Sequence, residues 1–340
     1  LEHYVKGLRE QEQCDFVILL SHLGLSQQLA LANNPVCKGV DYIFGGDTHE
    51  RVRKPIECKY SKVVEPGAFG SFVGRLDLIV EDGKVVKEYY SLDEVDPKKY
   101  KPNQAIQTLI QQNEQPFKAA ITNIVGYSTI PLYRYFVVEN PIDTLIIDAL
   151  MWKVKPDIVL SNGFRFCPPN TTPDATGNIP ITQGYVYDML PVNAIVRTGK
   201  ITGTQLKDWL ETELNNVFAS DASKRVGGWV VKFKGMNVAF KAFEEAGKRV
   251  QSITVHDKLL DLERLYVISA CEREGDPEDV LCRVPNVKDT ANTPFSLHQI
   301  VKDYLAANSP VTPQPEGNAI ILDAPSTMLT QVHGVDYQFF

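Results

Sequence analysis

The stretch FVILLSHLGLSQQLALANNP, residues 16–35, runs from an apolar segment through a histidine and a glycine into a helix-like segment that stops before a proline. Five consecutive apolar residues, Phe16 to Leu20, are what a strand buried on both faces requires, and such strands belong to helix-covered parallel sheets. Residues 3–13 carry alternating charges with Tyr4, Val5 and Leu8 at helical spacing, so helix, strand and helix follow one another in α/β order. A second apolar run, Tyr42 to Phe44, opens YIFGGDTHE, residues 42–50. Two glycines there let the backbone turn sharply, while Asp47 and His49 offer oxygen and nitrogen donors. His22 and the Asp47/His49 pair each follow a buried strand, and the carboxyl ends of neighbouring parallel strands share one crevice. A lone histidine at a strand end reads as a turn cap; three donors on two tips read as a metal rim.

The rest of the composition bounds the class. At 340 residues, with 44% apolar and 23% charged, the chain is an ordinary globular protein of two domains. No run reaches the ~18 apolar residues of a membrane helix. With a net charge of −7 and dispersed acidic residues, no basic stripe argues for a nucleic-acid partner, although a phosphate pocket can still be locally basic. Six dispersed cysteines, none in CxxC spacing, argue against a zinc knuckle and leave disulfides open.

Along the chain, residues 62–92 alternate apolar and polar positions around the turn signal EDGK, as an edge hairpin does. Residues 96–126 are polar, with prolines and one amphipathic stretch (Ile106, Leu109, Ile110), and serve as a partly helical linker between domains 1–95 and 127–340. The second domain opens with an apolar helix at NPIDTLIIDALMW and a strand at PDIVLSNGFRF. A helix over ITGTQLKDWLETELNNVF places Leu206, Trp209, Leu210, Leu214 and Val217 on one face behind a threonine cap. Further strands are expected at 229–233, 250–255 and 264–269, and a helix at 297–306.

ILLSHLG followed by YIFGGDTHE resembles the late metal-binding motifs of the calcineurin-like metallophosphoesterases, in the 5'-nucleotidase branch. VEPGAFGSFVGRLDL is similar to the strand pair closing that domain. ENPIDTLIIDAL, PDIVLSNGFR, IPITQGYVYDMLPVN, TGTQLKDWLE and GKRVQSITVHDKLLDLERLYVISA resemble, in order, blocks of the 5'-nucleotidase C-terminal domain. The resemblance implies an α/β and α+β chain: the C-terminal part of a four-layer metallophosphoesterase sandwich, a linker helix and a C-terminal α/β substrate domain. It implies a phosphoester hydrolase acting on a nucleotide or related phosphometabolite, with two divalent metals (Mn, Zn or Mg) activating hydroxide. It also implies a periplasmic, cell-surface or secreted setting. His22, Asp47 and His49 would then be metal ligands, and Asn162 and Arg165 substrate contacts.

Three departures qualify this. The family's early ligand motifs, including its catalytic Asn-His pair, are missing, since only 21 residues precede His22. The catalytic residues are thus unassigned, and weak or absent metal binding and little hydrolysis are expected of this chain. Asp47 stands where a histidine is usual and shifts preference towards harder ions. Val192 in LPVN and the segment EREGDPED lack the aromatic pair that stacks a base, which removes about 1–3 kcal/mol of contact. The loop SNGFRF is also similar to that of the bacterial thiosulfohydrolases of the same fold, which stand as the alternative, together with a non-catalytic ligand-binding remnant.

Within that loop, Arg165 offers a fork suited to phosphate and Asn162 a hydroxyl contact, while Phe164 and Phe166 alternate, either one an apolar wall or a core-packing residue. Arg134 is a further pocket candidate, while Glu139 and Asp148 read as ties between helices. His256 reads as a hairpin-turn residue, His298 as a structural or exposed helix residue, and Cys167 as a thiol without an identified base. The expected partner is a small molecule; oligomeric state stays open.

Overall fold

A computed structural model describes residues 1–134, 136–161, 167–226, 229–271 and 275–325. Its described residues form two compact units, 1–109 with the 219–228 segment and 110–218 with 229–330.

In the first unit, α1 (Glu2–Lys6) passes through a π-type turn and leads to β1 (Ile18–Ser21), α2 (Leu25–Ala32) and β2 (Tyr42–Gly45). Then follow β3 (Ile56–Glu57), β4 (Lys62–Val64), β5 (Phe72–Glu81), β6 (Lys84–Glu94) and α3 (Gln104–Glu114), whose last turns fall in the second unit. The sheet order is β1-β2-β4-β3, with β1, β2 and β4 mutually parallel. Leu25 and Ala32 of α2 pack with Val5, Val17, Ile43 and Val63 into one apolar cluster. Asp41 fixes the start of β1: its carboxylate accepts from Val17 N at 2.6 Å and pairs with the Arg9 guanidinium.

The EDGK signal marks a real turn, with Asp82 and Gly83 both at positive φ, 49° and 72°. The hairpin it joins, however, is a sheet of its own, and only Lys62–Val64 enters the central sheet. Helix α3 forms where its apolar spacing predicts, yet it buries none of its residues, so Ile106, Leu109 and Ile110 lie exposed.

The second unit continues with α4 (Lys118–Ile121), β7 (Ile124–Ser128), α5 (Pro141–Val154), β8 (Ile158–Ser161), β9 (Ile179–Thr182) and α6 (Gln183–Met189). Next come β10 (Ile195–Thr202), α7 (Gly203–Phe218), β11 (Lys232–Lys234), β12 (Met236–Phe240), β13 (Val250–Val255) and β14 (Lys258–Leu259). It ends with β15 (Leu265–Cys271), β16 (Lys288–Ser296), α8 (Leu297–Asn308) and β17 (Ala319–Ile321). The main sheet has the order β11-β8-β15-β10-β16, and a second sheet runs β14-β13-β12-β17.

Strand β8 shows why the apolar run IVL is uninterrupted: Ile158 and Leu160 join the cluster containing α7 and the second sheet, while Val159 joins that of α5, α6 and α8. Asn140 caps α5, accepting from Asp143 N at 2.9 Å, with Pro141 in the first turn. Thr202 and Gln205 form a reciprocal capping box on α7, at 3.2 Å and 2.9 Å. The strand expected at 229–233 begins later, at Lys232.

Two side chains read as helix–helix ties act otherwise. Asp148 on α5 pairs with Lys234 of β11, and Glu139 accepts from the backbone N–H of Gly317 and Asn318, each at 3.0 Å. Burial raises both carboxyls above their usual range. The six cysteines form no disulfide. No described helix is long and apolar enough to cross a membrane.

Candidate functional site

The rim at the carboxyl ends of β1, β2 and β4 carries the first group of candidates. Gly24 N donates to Gly46 O at 3.2 Å, and Gln28 Nε2 donates to the same carbonyl at 3.1 Å, so the two strand-end loops are tied together. Two of the three rim glycines, Gly24 and Gly45, serve close approach. A Cβ on Gly45 would overlap the Gln28 amide, and one on Gly24, at φ 77°, would stand 2.6 Å from Thr48 Cγ2.

This tie brings His22 Nε2 to 3.7 Å from Asp47 Oδ1, with the side chains 85% and 42% exposed. Asp47 and His49 adopt left-handed backbone, φ 87° and 64°, and the His49 ring meets Phe69 edge to face at 5.6 Å. Among the described residues no three His, Cys, Asp or Glu side chains converge as a metal-holding group.

A nitrogen and an oxygen donor 3.7 Å apart match one edge of a divalent ion's shell, where bonds run about 2.0–2.2 Å. The described residues supply that edge and no complete shell, so no chemical step is assigned to a metal here.

Glu65, just past β4, lies in the VEPGAFGSFVGRLDL block with no role assigned to it there, yet it organises this loop. Its carboxylate is fully buried, accepts from Glu50 N at 3.0 Å, and receives Thr48 Oγ1 at 3.4 Å. Thr48 Oγ1 in turn accepts from Leu25 N at 2.8 Å, which leaves its own proton for Glu65. The signal available is a glutamate immediately after the apolar run KVV, a third strand tip beside the other two.

In the second unit, Asn162, Phe164, Arg165 and Phe166 lie outside the described residues. What is described is the framework around the strand that leads to them. Lys232, paired in register with Ser161, is 3% exposed, and its Nζ donates to Val137 O at 2.8 Å and Val138 O at 2.6 Å. Burial lowers its pKa to about 8, against the opposing pull of Asp143 and Glu139.

Arg134 has its guanidinium engaged by described neighbours. It is buried, donates to Asp143 Oδ1 from Nε (3.1 Å) and Nη2 (2.8 Å), and reaches Met189 O from Nη1 at 2.9 Å. Asn140 Nδ2 completes the cluster with a 2.7 Å bond to the other Asp143 oxygen.

The LPVN loop is held from a second side. His298, buried rather than exposed, places Nε2 at 2.6 Å from Leu190 O; a carbonyl only accepts, so that nitrogen carries the proton. Its backbone N–H donates to Asn193 Oδ1 at 3.0 Å, and Leu297 N donates to Ala194 O at 2.9 Å. Burial lowers the His298 pKa, which favours the neutral ring.

Cys167 is buried, and burial pushes its thiol up to about 11, so it is inert as a nucleophile. His256 sits at φ 49° in the β13–β14 turn, 3.3 Å from Asp157.

With this geometry in place, known proteins give the chain its context. Residues 120–270 match the family model of the 5'-nucleotidase C-terminal domain. The trifunctional nucleotide phosphoesterase YfkN of Bacillus subtilis is 27% identical over 272 residues, which is 75% of this chain and 17% of that protein. Among solved structures, the sulfate thiohydrolase SoxB of Thermus thermophilus, in complex with glycerol, superposes with a TM-score of 0.85 at 22% identity, covering 97% of this chain and 59% of that one. A 5'-nucleotidase precursor, also from Thermus thermophilus, gives 0.78 at 22% identity, covering 95% of this chain and 67% of that one. The chain thus spans well under the full length of these relatives, and at such identities the two structures speak to fold alone. The stretch 120–270 is thus similar to the 5'-nucleotidase C-terminal domain, and the chain shares its mixed α/β fold with the two solved structures.

Proposed function

We propose that this chain provides the substrate-binding domain and part of the metal rim of a phosphoester hydrolase of the 5'-nucleotidase type. Its substrate would be a nucleotide or related phosphometabolite. The observation that carries this reading is the family match over residues 120–270, which includes the loop with Asn162, Phe164 and Arg165. In this reading Arg165 grips the phosphate or a ribose hydroxyl, Asn162 fixes a hydroxyl, and Phe164 lines the pocket. His22, Asp47 and His49 take the role of metal ligands, the metal being Mn, Zn or Mg, and the protein works in the periplasm, at the cell surface or secreted.

The chain alone is expected to bind substrate and to hydrolyse it slowly or not at all, because among the described residues the rim brings His22 and Asp47 together without a group of three metal-holding side chains. Calorimetry with AMP and with thiosulfate tests the reading. AMP binding that Arg165→Ala abolishes supports it; binding of thiosulfate alone moves the chain to the thiosulfohydrolase class. Robust release of phosphate from AMP by the 340-residue chain with added Mn would overturn the low-turnover expectation.

A further inference from the structure

The first unit holds a second concavity, at the opposite end of its central sheet from the rim. A hollow of about 510 Å³ opens between the amino ends of β1, β2 and β4 and the start of β6, a volume that suits a small organic molecule. Phe16, just before β1, Tyr42, the first residue of β2, and Lys62, the first of β4, line one side, and residues 85–88 of β6 line the other. Tyr42 is 1% exposed, and its hydroxyl has no hydrogen-bond partner among the described residues. Burial, with Glu57 and Tyr90 adding to it, pushes the phenol up to about 12, so the hydroxyl keeps its proton and is a donor at ordinary pH.

The charges on the walls are not equally free. Asp41 is taken by the Arg9 guanidinium and by Val17 N. Glu57 and Glu88 both pair with Lys62, Glu57 at 3.2 Å. Lys59 and Lys87 line the same hollow and pair with no carboxylate among the described residues; the Lys59 ammonium lies 5.1 Å from the centroid of the Tyr60 ring. What the hollow has left to offer is therefore donors, two ammonium groups and a phenol, beside the apolar walls of Phe16, Tyr60, Val85 and Val86. A buried hydroxyl without a partner destabilises the fold, and an acceptor that reaches it removes the penalty. We propose that this hollow is a binding site for an organic anion with an apolar body, Lys59 and Lys87 drawing the anion and the Tyr42 hydroxyl donating to it. The site is separate from the rim, and it stands independently of the phosphoester reading.

Amide shift mapping by nuclear magnetic resonance on the full 340-residue chain tests it, with EDTA present to keep metal from the rim and with 2-naphthoate and its neutral counterpart 2-naphthalenemethanol as probes. Saturable naphthoate shifts are expected at residues 40–42, 57–62 and 85–88, with the alcohol at least about tenfold weaker. Tyr42→Phe should weaken naphthoate about tenfold, the scale of one hydrogen bond to a charged group. It should not lower the melting temperature, because it removes a buried hydroxyl that the fold leaves unbonded. Lys59→Gln combined with Lys87→Gln should weaken naphthoate and leave the alcohol unchanged. Equal affinity for the two probes overturns the anion assignment. Shifts confined to residues 46–50, no saturable shift up to about 10 mM naphthoate, or a Tyr42→Phe variant that melts earlier yet binds naphthoate as the parent does, overturns the site.

Discussion

The rim of the first unit and the polar cluster of the second contain the same kinds of side chain in opposite situations. At the rim, His22 and Asp47 face solvent, and their nitrogen and oxygen donors remain available to a ligand. In the cluster, Arg134, Asp143, Asn140 and Lys232 are buried, and each has its hydrogen-bonding capacity directed at a neighbour inside the protein. Charged residues next to a strand end are therefore no guide to a site by themselves; what separates the two regions is whether the protein has already used them. The cluster uses its charges to join the 134–140 segment, α5, β11 and the start of the LPVN loop.

If that contrast holds, breaking the cluster has the largest effect. Asp143→Ala leaves the buried Arg134 charge without its carboxylate, beside the Lys232 charge, and is expected to destabilise the second unit by about 3–5 kcal/mol. Denaturant unfolding of parent and variant measures this, and a loss under about 1 kcal/mol would show that the cluster relaxes or admits water.

Lys232 gives the next effect, with its sign fixed by linkage. Its pKa falls from 10.5 to about 8 on folding, so the unfolded chain holds more protons across that window. Stability therefore rises as pH increases from about 8 towards 10, by up to about 3 kcal/mol if the shift is fully expressed. Buried thiols raised above their usual range act in the opposite direction higher in the window. The informative quantity is the difference between parent and Lys232→Met between pH 7.5 and 9: the parent curve should climb relative to the variant, and parallel curves would place the lysine charge in contact with water.

What can be read from the sequence follows from how local each feature is. The strands at β1, β2 and β8 are legible in position as uninterrupted apolar runs, but β1 is not buried on both faces as its run implies, Ile18 and Leu20 being 44% and 78% exposed. The His22–Asp47 approach follows from adjacent parallel strand ends. Glu65 is not legible, since its role depends on a third tip meeting Thr48 and Glu50. Lys232 reads as an ordinary polar position in WVVKFKG; only the carbonyls of Val137 and Val138, nearly a hundred residues earlier, make it a buried clamp. Arg134 reads as a pocket residue because an arginine near a motif is as consistent with a buried pair as with a phosphate.

Between the extremes lies the packing that builds the rim. Gly45→Ala would drive a methyl group into the Gln28 amide, whose Nε2 is bonded to Gly46 O and whose Oε1 has no hydrogen-bond partner among the described residues. The side chain is wholly buried and cannot swing into solvent, so overpacking should cost about 1–3 kcal/mol. The variant should also loosen the β2 loop, seen as faster amide exchange at Gly46 to Glu50 with the second unit unchanged. Exchange that rises equally in both units would mean that the damage is global.

The smallest effect on stability, and the sharpest test of the contrast, belongs to His22→Ala. An 85% exposed side chain at 3.7 Å from a half-exposed carboxylate contributes little to folding, so the melting temperature should stay within about 1 °C of the parent. If the rim is a ligand edge, the same substitution must be visible in binding: Mn titrated by electron paramagnetic resonance should lose about tenfold or more in affinity, as removal of a metal-binding group does. A variant that melts earlier yet binds Mn as the parent does would make His22 a loop cap, and the exposed pair would then be as structural as the buried one. Unchanged melting with lost Mn binding is the outcome that a strand-tip donor, held by Gly24 and Gly46 and spared by the rest of the fold, requires.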